Sequence, residues 1–149
     1  MTRFRRVLPY LIIVLAIAGL LDASYLTYEH YARIIPPCSI HWWVDCGKVL
    51  NSSYSMLFGL IPLALLGVIQ YAAELIVATY VAITHNKLAQ KLLLFLTAMG
   101  ALFSLYFVYL MIFVIQAICL YCFASAIISF LLFATVIIAY PQKSNPMIK

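Results

Sequence analysis

Residues 92–140 read LLLFLTAMGALFSLYFVYLMIFVIQAICLYCFASAIISFLLFATVIIAY, without one Asp, Glu, Lys, Arg or His between Leu92 and Tyr140. As a single helix rising ~1.5 Å per residue, this stretch would be roughly 70 Å long. The hydrocarbon core of a bilayer is only about 30 Å thick. The run must therefore fold back on itself as two spans. Its midpoint is Gln116, its most polar side chain, which puts the reversal around Val114–Ile118 although no glycine or proline marks it.

Two more apolar runs come before it. Val7–Tyr28 follows Arg3, Arg5 and Arg6, and the run over 57–83 closes on Thr84, His85, Asn86 and Lys87. A cleaved signal peptide also begins basic and then apolar, but this first run is about twenty residues long and no A-x-A site follows it. The expected fold is all-α: a polytopic membrane protein, one domain over 1–149, with spans at about 7–28, 57–83, 92–113 and 118–140. Composition agrees, with 67% hydrophobic residues, 9% charged and a mean hydropathy of +1.11. A soluble domain carries about 25% charged residues, so this chain could not cover its surface in water.

The net charge of +5 is no nucleic-acid signal, because the basic residues fall between the apolar runs rather than along one face. Four spans put both termini on one side, together with Arg3, Arg5, Arg6, Lys87, Lys91, Lys143 and Lys149; the other side has Arg33 and Lys48. The positive-inside rule makes the first side cytoplasmic. The long first loop, about Glu29–Met56, and the turn at Gln116 then face outward.

All four cysteines fall on that outer side, which is an oxidising compartment in bacteria and in the ER lumen. Cys38 and Cys46 lie in the loop; Cys119 and Cys122 open the fourth span. Three readings compete. A zinc half-site is weakened by the Cys38–Cys46 spacing, which differs from the usual C-x2-C. Two purely structural disulfides would add staples that a lipid-embedded bundle does not need. The third reading is a redox relay. Residues three apart on a helix share a face, so Cys119 and Cys122 can bridge, and the partial positive charge of a helix start favours the attacking thiolate. A dithiol in the watery loop faces a protein, and a dithiol at the lipid boundary faces a lipid-soluble oxidant. Exchange between the two would run through a mixed disulfide.

These residues resemble the vitamin K epoxide reductase family over nearly the whole chain. The resemblance rests on Gly19-Leu-Leu-Asp22-Ala-Ser24-Tyr25-Leu26-Thr27, the loop pair Cys38 and Cys46, and Ser52 six residues later. It continues through Phe58-Gly59-Leu60-Ile61-Pro62 and Cys119-Leu120-Tyr121-Cys122. It implies that Cys38 meets a reduced thioredoxin-like (DsbA-like) protein, that Cys46 shuttles electrons to Cys119, and that Cys122 sits against a quinone of ubiquinone or menaquinone type. It also implies a cofactor pocket that includes Cys122, Ser52, Phe58 and position 126. Vertebrate members carry a tyrosine at that last position; here it is Ala126, which argues against vitamin K epoxide as the dedicated substrate. Some relatives have a fused thioredoxin-like domain after the fourth span, whereas this sequence ends at Lys149, so a separate partner is expected. The activity implied is quinone-coupled thiol oxidation supporting disulfide formation in exported proteins. Two alternatives are a reductase whose useful product is the quinol, and a non-catalytic subunit with structural disulfides.

Other residues carry weaker signals. Asp22 lies near the outer end of the first span, as a proton acceptor or as a hydrogen-bonded buried acid. Glu74 falls near the inner end of the second span and reads as structural. Ser52 reads equally as a helix cap. His41, Trp42 and Trp43 read as an interfacial anchor, or more sharply as a lid over the quinone. His30 and His85 carry no separable signal.

Overall fold

The computed structural model describes residues 2–34, 37–38, 41–57 and 59–141, with Thr2–Arg6 and Leu57 described by backbone alone. Among the described residues four helices are long and apolar enough to cross a membrane. They are α1 (Thr2–Ala32), α3 (Leu63–Thr84), α4 (Lys87–Tyr109) and α5 (Leu120–Ala139); the short α2 (Cys46–Leu50) lies in the first loop. α4 continues as a π-helical turn over Leu110–Ile115. The expected bundle of four membrane helices is the one observed.

Three reversals use non-glycine residues in the left-handed region: Arg33 (φ 55°), His85 (φ 52°) and Gln116 (φ 54°). Each closes a helix by satisfying carbonyls its last turn leaves open. Ile34 N–H reaches Glu29 O at 3.1 Å, His85 N–H reaches Val81 O at 2.9 Å, and Ala117 N–H reaches Met111 O at 3.2 Å. Asn86 then starts α4 at once, its side chain accepting from Leu88 N–H at 2.8 Å.

One boundary differs from the sequence expectation. The second span was expected from residue 57, but Met56–Leu57 and Ile61–Pro62 pair as a minimal antiparallel hairpin, and α3 begins only at Leu63. Gly59 at φ 70° supplies the turn, a conformation that costs glycine little. Phe58, expected to face the cofactor, lies outside the described residues. The later start also moves Glu74. It stands 11 residues after Leu63 and 10 before Thr84, at the middle of α3 rather than near its inner end.

The bundle is held by two apolar clusters. One, in its middle, includes Ile12, Ala16, Tyr71, Leu93, Leu132 and Val136. The other, at the end carrying the first loop, includes Leu26, Val49, Leu50, Met111 and Ala117 together with Cys38, Cys46 and Cys119. Large apolar side chains such as Leu21, Ile76, Phe95 and Leu102 point outward. In water that surface would be a liability; against lipid tails it is the expected outer face.

Candidate functional site: four cysteines beside an apolar cavity

The first loop is tied to the head of α5 by backbone pairing. Ile118 N–H donates to Trp43 O at 2.8 Å, and Asp45 N–H donates to Ile118 O at 3.2 Å. This parallel bridge between Val44 and Ile118 fixes the residues immediately before Cys46 and Cys119. Asp45 caps α2 by accepting from Lys48 N–H at 3.0 Å, so Cys46 is the first residue of that helix. Asn51, Ser52 and Ser55 close its other end: their side chains donate to the carbonyls of Gly47, Val49 and Leu50 at 3.0, 2.8 and 2.6 Å. The polar run after Leu50 is thus spent on holding a five-residue helix that could not stand alone.

Cys38 and Cys46 form a disulfide with a Cα–Cα distance of 5.9 Å, and Cys119 and Cys122 are free thiols. All four belong to one apolar cluster. The loop pair, expected on the watery side, is buried: Cys38 is 2% exposed and Cys46 0%. The reason is the bridge to Ile118, which draws the loop down onto the bundle.

Cys119 caps α5, its sulfur accepting from Cys122 N–H at 3.3 Å. A hydrogen bond from the Cys122 side chain, seconded by backbone N–H groups, holds the Cys119 thiol below the usual thiol range, although burial opposes this. A lowered thiol is the better leaving group when a disulfide to it is broken, which suits Cys119 to exchange. The Tyr121 ring between them rests on Tyr25 of α1, with ring centroids 5.3 Å apart.

Below the cysteines, a cavity of about 460 Å³ opens among all four membrane helices. Of the cysteines only Cys122 lines it, with Ser52 and Ala126 also in its wall. The Ser52 hydroxyl is already donated to Val49 O, so donating to a ligand would cost that bond. Ser52 also precedes the 3₁₀ turn Ser53–Ser55 but makes no side-chain cap to it. The Trp42 and Trp43 rings lie 4.2 Å apart and are 79% and 57% exposed. Neither lines the cavity.

The sequence reading missed the polar floor of this cavity. Tyr71 of α3 and Ser125 and Ser129 of α5 line it and bond to one another: Tyr71 Oη lies 2.8 Å from Ser125 O, 3.0 Å from Ser125 Oγ and 2.8 Å from Ser129 Oγ. Ser125 also lies beside the half-buried carboxyl of Asp22, whose Oδ2 has no partner. One signal was available: Cys122, Ser125 and Ser129 stand at i, i+3 and i+7, one face of a helix. Beside them, Gln70 Nε2 donates to Glu74 Oε1 at 2.8 Å and to Leu96 O at 2.7 Å, joining α3 to α4. Glu74 is 2% exposed and its Oε2 is unpartnered.

The cavity fits a flat apolar ring with carbonyl edges. Its volume lies within the common range for small-molecule sites of about 300–1,000 Å³, its walls are mainly apolar, and hydroxyls converge on its floor. Ile69 of α3 and Phe103 of α4 line it although they are 59% and 56% exposed, so it meets the lipid side between those two helices.

Comparison with known proteins agrees with this geometry. The vitamin K epoxide reductase family matches residues 10–137. A thiol-disulfide oxidoreductase, LTO1 of Arabidopsis thaliana, is 34% identical over 121 residues, which is 76% of this chain and 32% of that protein. The chain thus spans about a third of that relative's length.

Proposed function

The chain belongs to the vitamin K epoxide reductase family, and on that premise we propose that this integral membrane protein is a thiol–disulfide oxidoreductase. It carries electrons from a thioredoxin-like protein through Cys38/Cys46 and Cys119/Cys122 to a quinone. The observation that carries this reading is the division of labour among the cysteines: all four share one buried cluster, and Cys122 alone faces the apolar cavity. The charge asymmetry supports cytoplasmic termini and a cysteine end in the oxidising compartment outside, where the activity serves disulfide formation in exported proteins.

A partner thiolate attacks Cys38, the Cys38–Cys46 bond breaks, and Cys46 leaves as a thiolate. The partner's second thiol releases Cys38 and takes away the new disulfide. Cys46 attacks Cys119 of an oxidised Cys119–Cys122 pair, freeing Cys122, and Cys38 resolves the Cys46–Cys119 bond. The loop is then a disulfide and the helix pair two thiols, the arrangement described above. A quinone held in the cavity would supply a two-electron, two-proton acceptor, and Cys122, Ala126 and Ser52 of the cavity wall would border it. The helix pair gives up both electrons and closes its disulfide. Asp22, beside Ser125 behind the cavity wall, takes a proton released by the thiols and passes it to the reduced quinone, which takes up both.

The test is quinone reduction by the purified protein with a reduced thioredoxin-like donor, wild type beside Cys122→Ser. Donor oxidation that requires quinone and vanishes in the variant supports the relay. Equal inertness of both with several quinones and donors would leave the cysteines a structural role.

A further inference from the structure

We infer that the Tyr71 hydroxyl is the hydrogen-bond donor that holds a quinone carbonyl on the cavity side away from Cys122. This deepens the reading above and rests on it. Ala126 offers the cavity only a methyl group, whereas Tyr71 meets it with a hydroxyl. Tyr71 comes from α3, and three helices build its place. A Cβ at Gly19 of α1 would run into the Tyr71 ring, so that glycine makes the hollow in which the ring lies. Ser125 and Ser129, one turn apart on α5, hold the hydroxyl from the other side.

The hydroxyl can be released toward a ligand at little cost. Its acceptor, the Ser125 carbonyl, lies inside α5, where backbone hydrogen bonding already serves it. The Ser129 hydroxyl can donate into the tyrosine oxygen, which makes the remaining O–H a stronger donor. Cys122, Ser125 and Ser129 share a helix face, so this donor stands roughly 5–10 Å along the axis from Cys122 at ~1.5 Å per residue. A single quinone ring spans that interval, with one edge toward the sulfur and the opposite carbonyl toward Tyr71. The donor gains strength as the ring oxygen becomes electron-rich, so it favours the reduced form.

The experiment compares wild type with Tyr71→Phe in quinone binding at equilibrium and in the infrared carbonyl stretch of bound quinone. Thiol trapping of loop-to-helix exchange is followed beside them. Expected are binding about 2- to 10-fold weaker, as for one lost hydrogen bond, and loss of the low-frequency, hydrogen-bonded carbonyl band, with thiol exchange unchanged. If Tyr71→Phe does not accumulate, fluorotyrosine at position 71 keeps the shape and strengthens the donor, and the band should move further down. A band and an affinity that neither change moves would overturn the inference. Wild-type protein that binds no quinone would instead overturn the functional reading on which it rests.

Discussion

The Gln70–Glu74 pair offers a stability test whose size can be worked from the structure. Gln70 makes two hydrogen bonds, to Glu74 Oε1 and to Leu96 O. The bond across to α4 is worth about 0.6 kcal/mol on average and the i, i+4 bond within α3 about 0.2–0.5 kcal/mol, so Gln70→Leu removes roughly 1 kcal/mol directly. It also strands the whole Glu74 carboxyl, one of whose oxygens already lacks a partner. A buried polar group left unsatisfied costs about 1–3 kcal/mol. Gln70→Leu should therefore destabilise by about 2–4 kcal/mol. Glu74→Met gives up one bond but removes the unpartnered oxygen, so it should fall within about 1 kcal/mol of wild type. The double variant should recover most of the loss from Gln70→Leu, a coupling of about 1–3 kcal/mol. Unfolding titrations of the four proteins in mixed micelles measure this cycle. Strictly additive effects, or a Gln70→Leu protein as stable as wild type, would refute the reasoning.

Cys122→Ala removes the hydrogen bond that lowers the Cys119 thiol. The Cys119 thiolate should then form only at higher pH, read from the Cβ chemical shift of labelled cysteine; an unmoved midpoint would assign the lowering to the backbone alone. Phe103→Trp narrows the opening between α3 and α4. It should slow reduction of a long-tailed quinone several-fold while a tailless analogue reacts at the wild-type rate, and equal slowing of both would place the entrance elsewhere. Gly19→Ala drives a methyl group into the Tyr71 ring and should cost about 1–3 kcal/mol by overpacking. A variant as stable as wild type in the same titration would show that the ring has room to move.

The membrane bundle was legible because hydropathy and length leave few alternatives: a run as long as Leu92–Tyr140 has to turn, and Gln116 is where it does. The boundaries were less so. Arg33, His85 and Gln116 adopt the left-handed geometry usually signalled by glycine, so three of the reversals carry no glycine in the sequence. Gly59 and Pro62 did signal a break, but they lie in an apolar run that reads as helix. In the site, spacing brought out the cysteines and the face they share. The burial of Cys38 and Cys46 was not legible, because it depends on a backbone bridge between Val44 and Ile118, and backbone pairing across more than seventy residues leaves no side-chain signature. Tyr71 was hidden for a similar reason: it is one of two tyrosines on α3, with nothing in the sequence to set it apart, and only the packing of three helices turns its hydroxyl toward Ser125 and Ser129.

The central claim is that electrons cross from the loop pair to the helix pair through Cys46 and Cys119. A protein carrying Cys38→Ala and Cys122→Ala keeps only Cys46 and Cys119 as cysteines, both fully buried in one cluster. Mild oxidation followed by peptide mapping should give an intramolecular Cys46–Cys119 disulfide that a reduced thioredoxin-like donor reopens. Two thiols that stay free in a folded protein, or that join only between molecules, would contradict the relay.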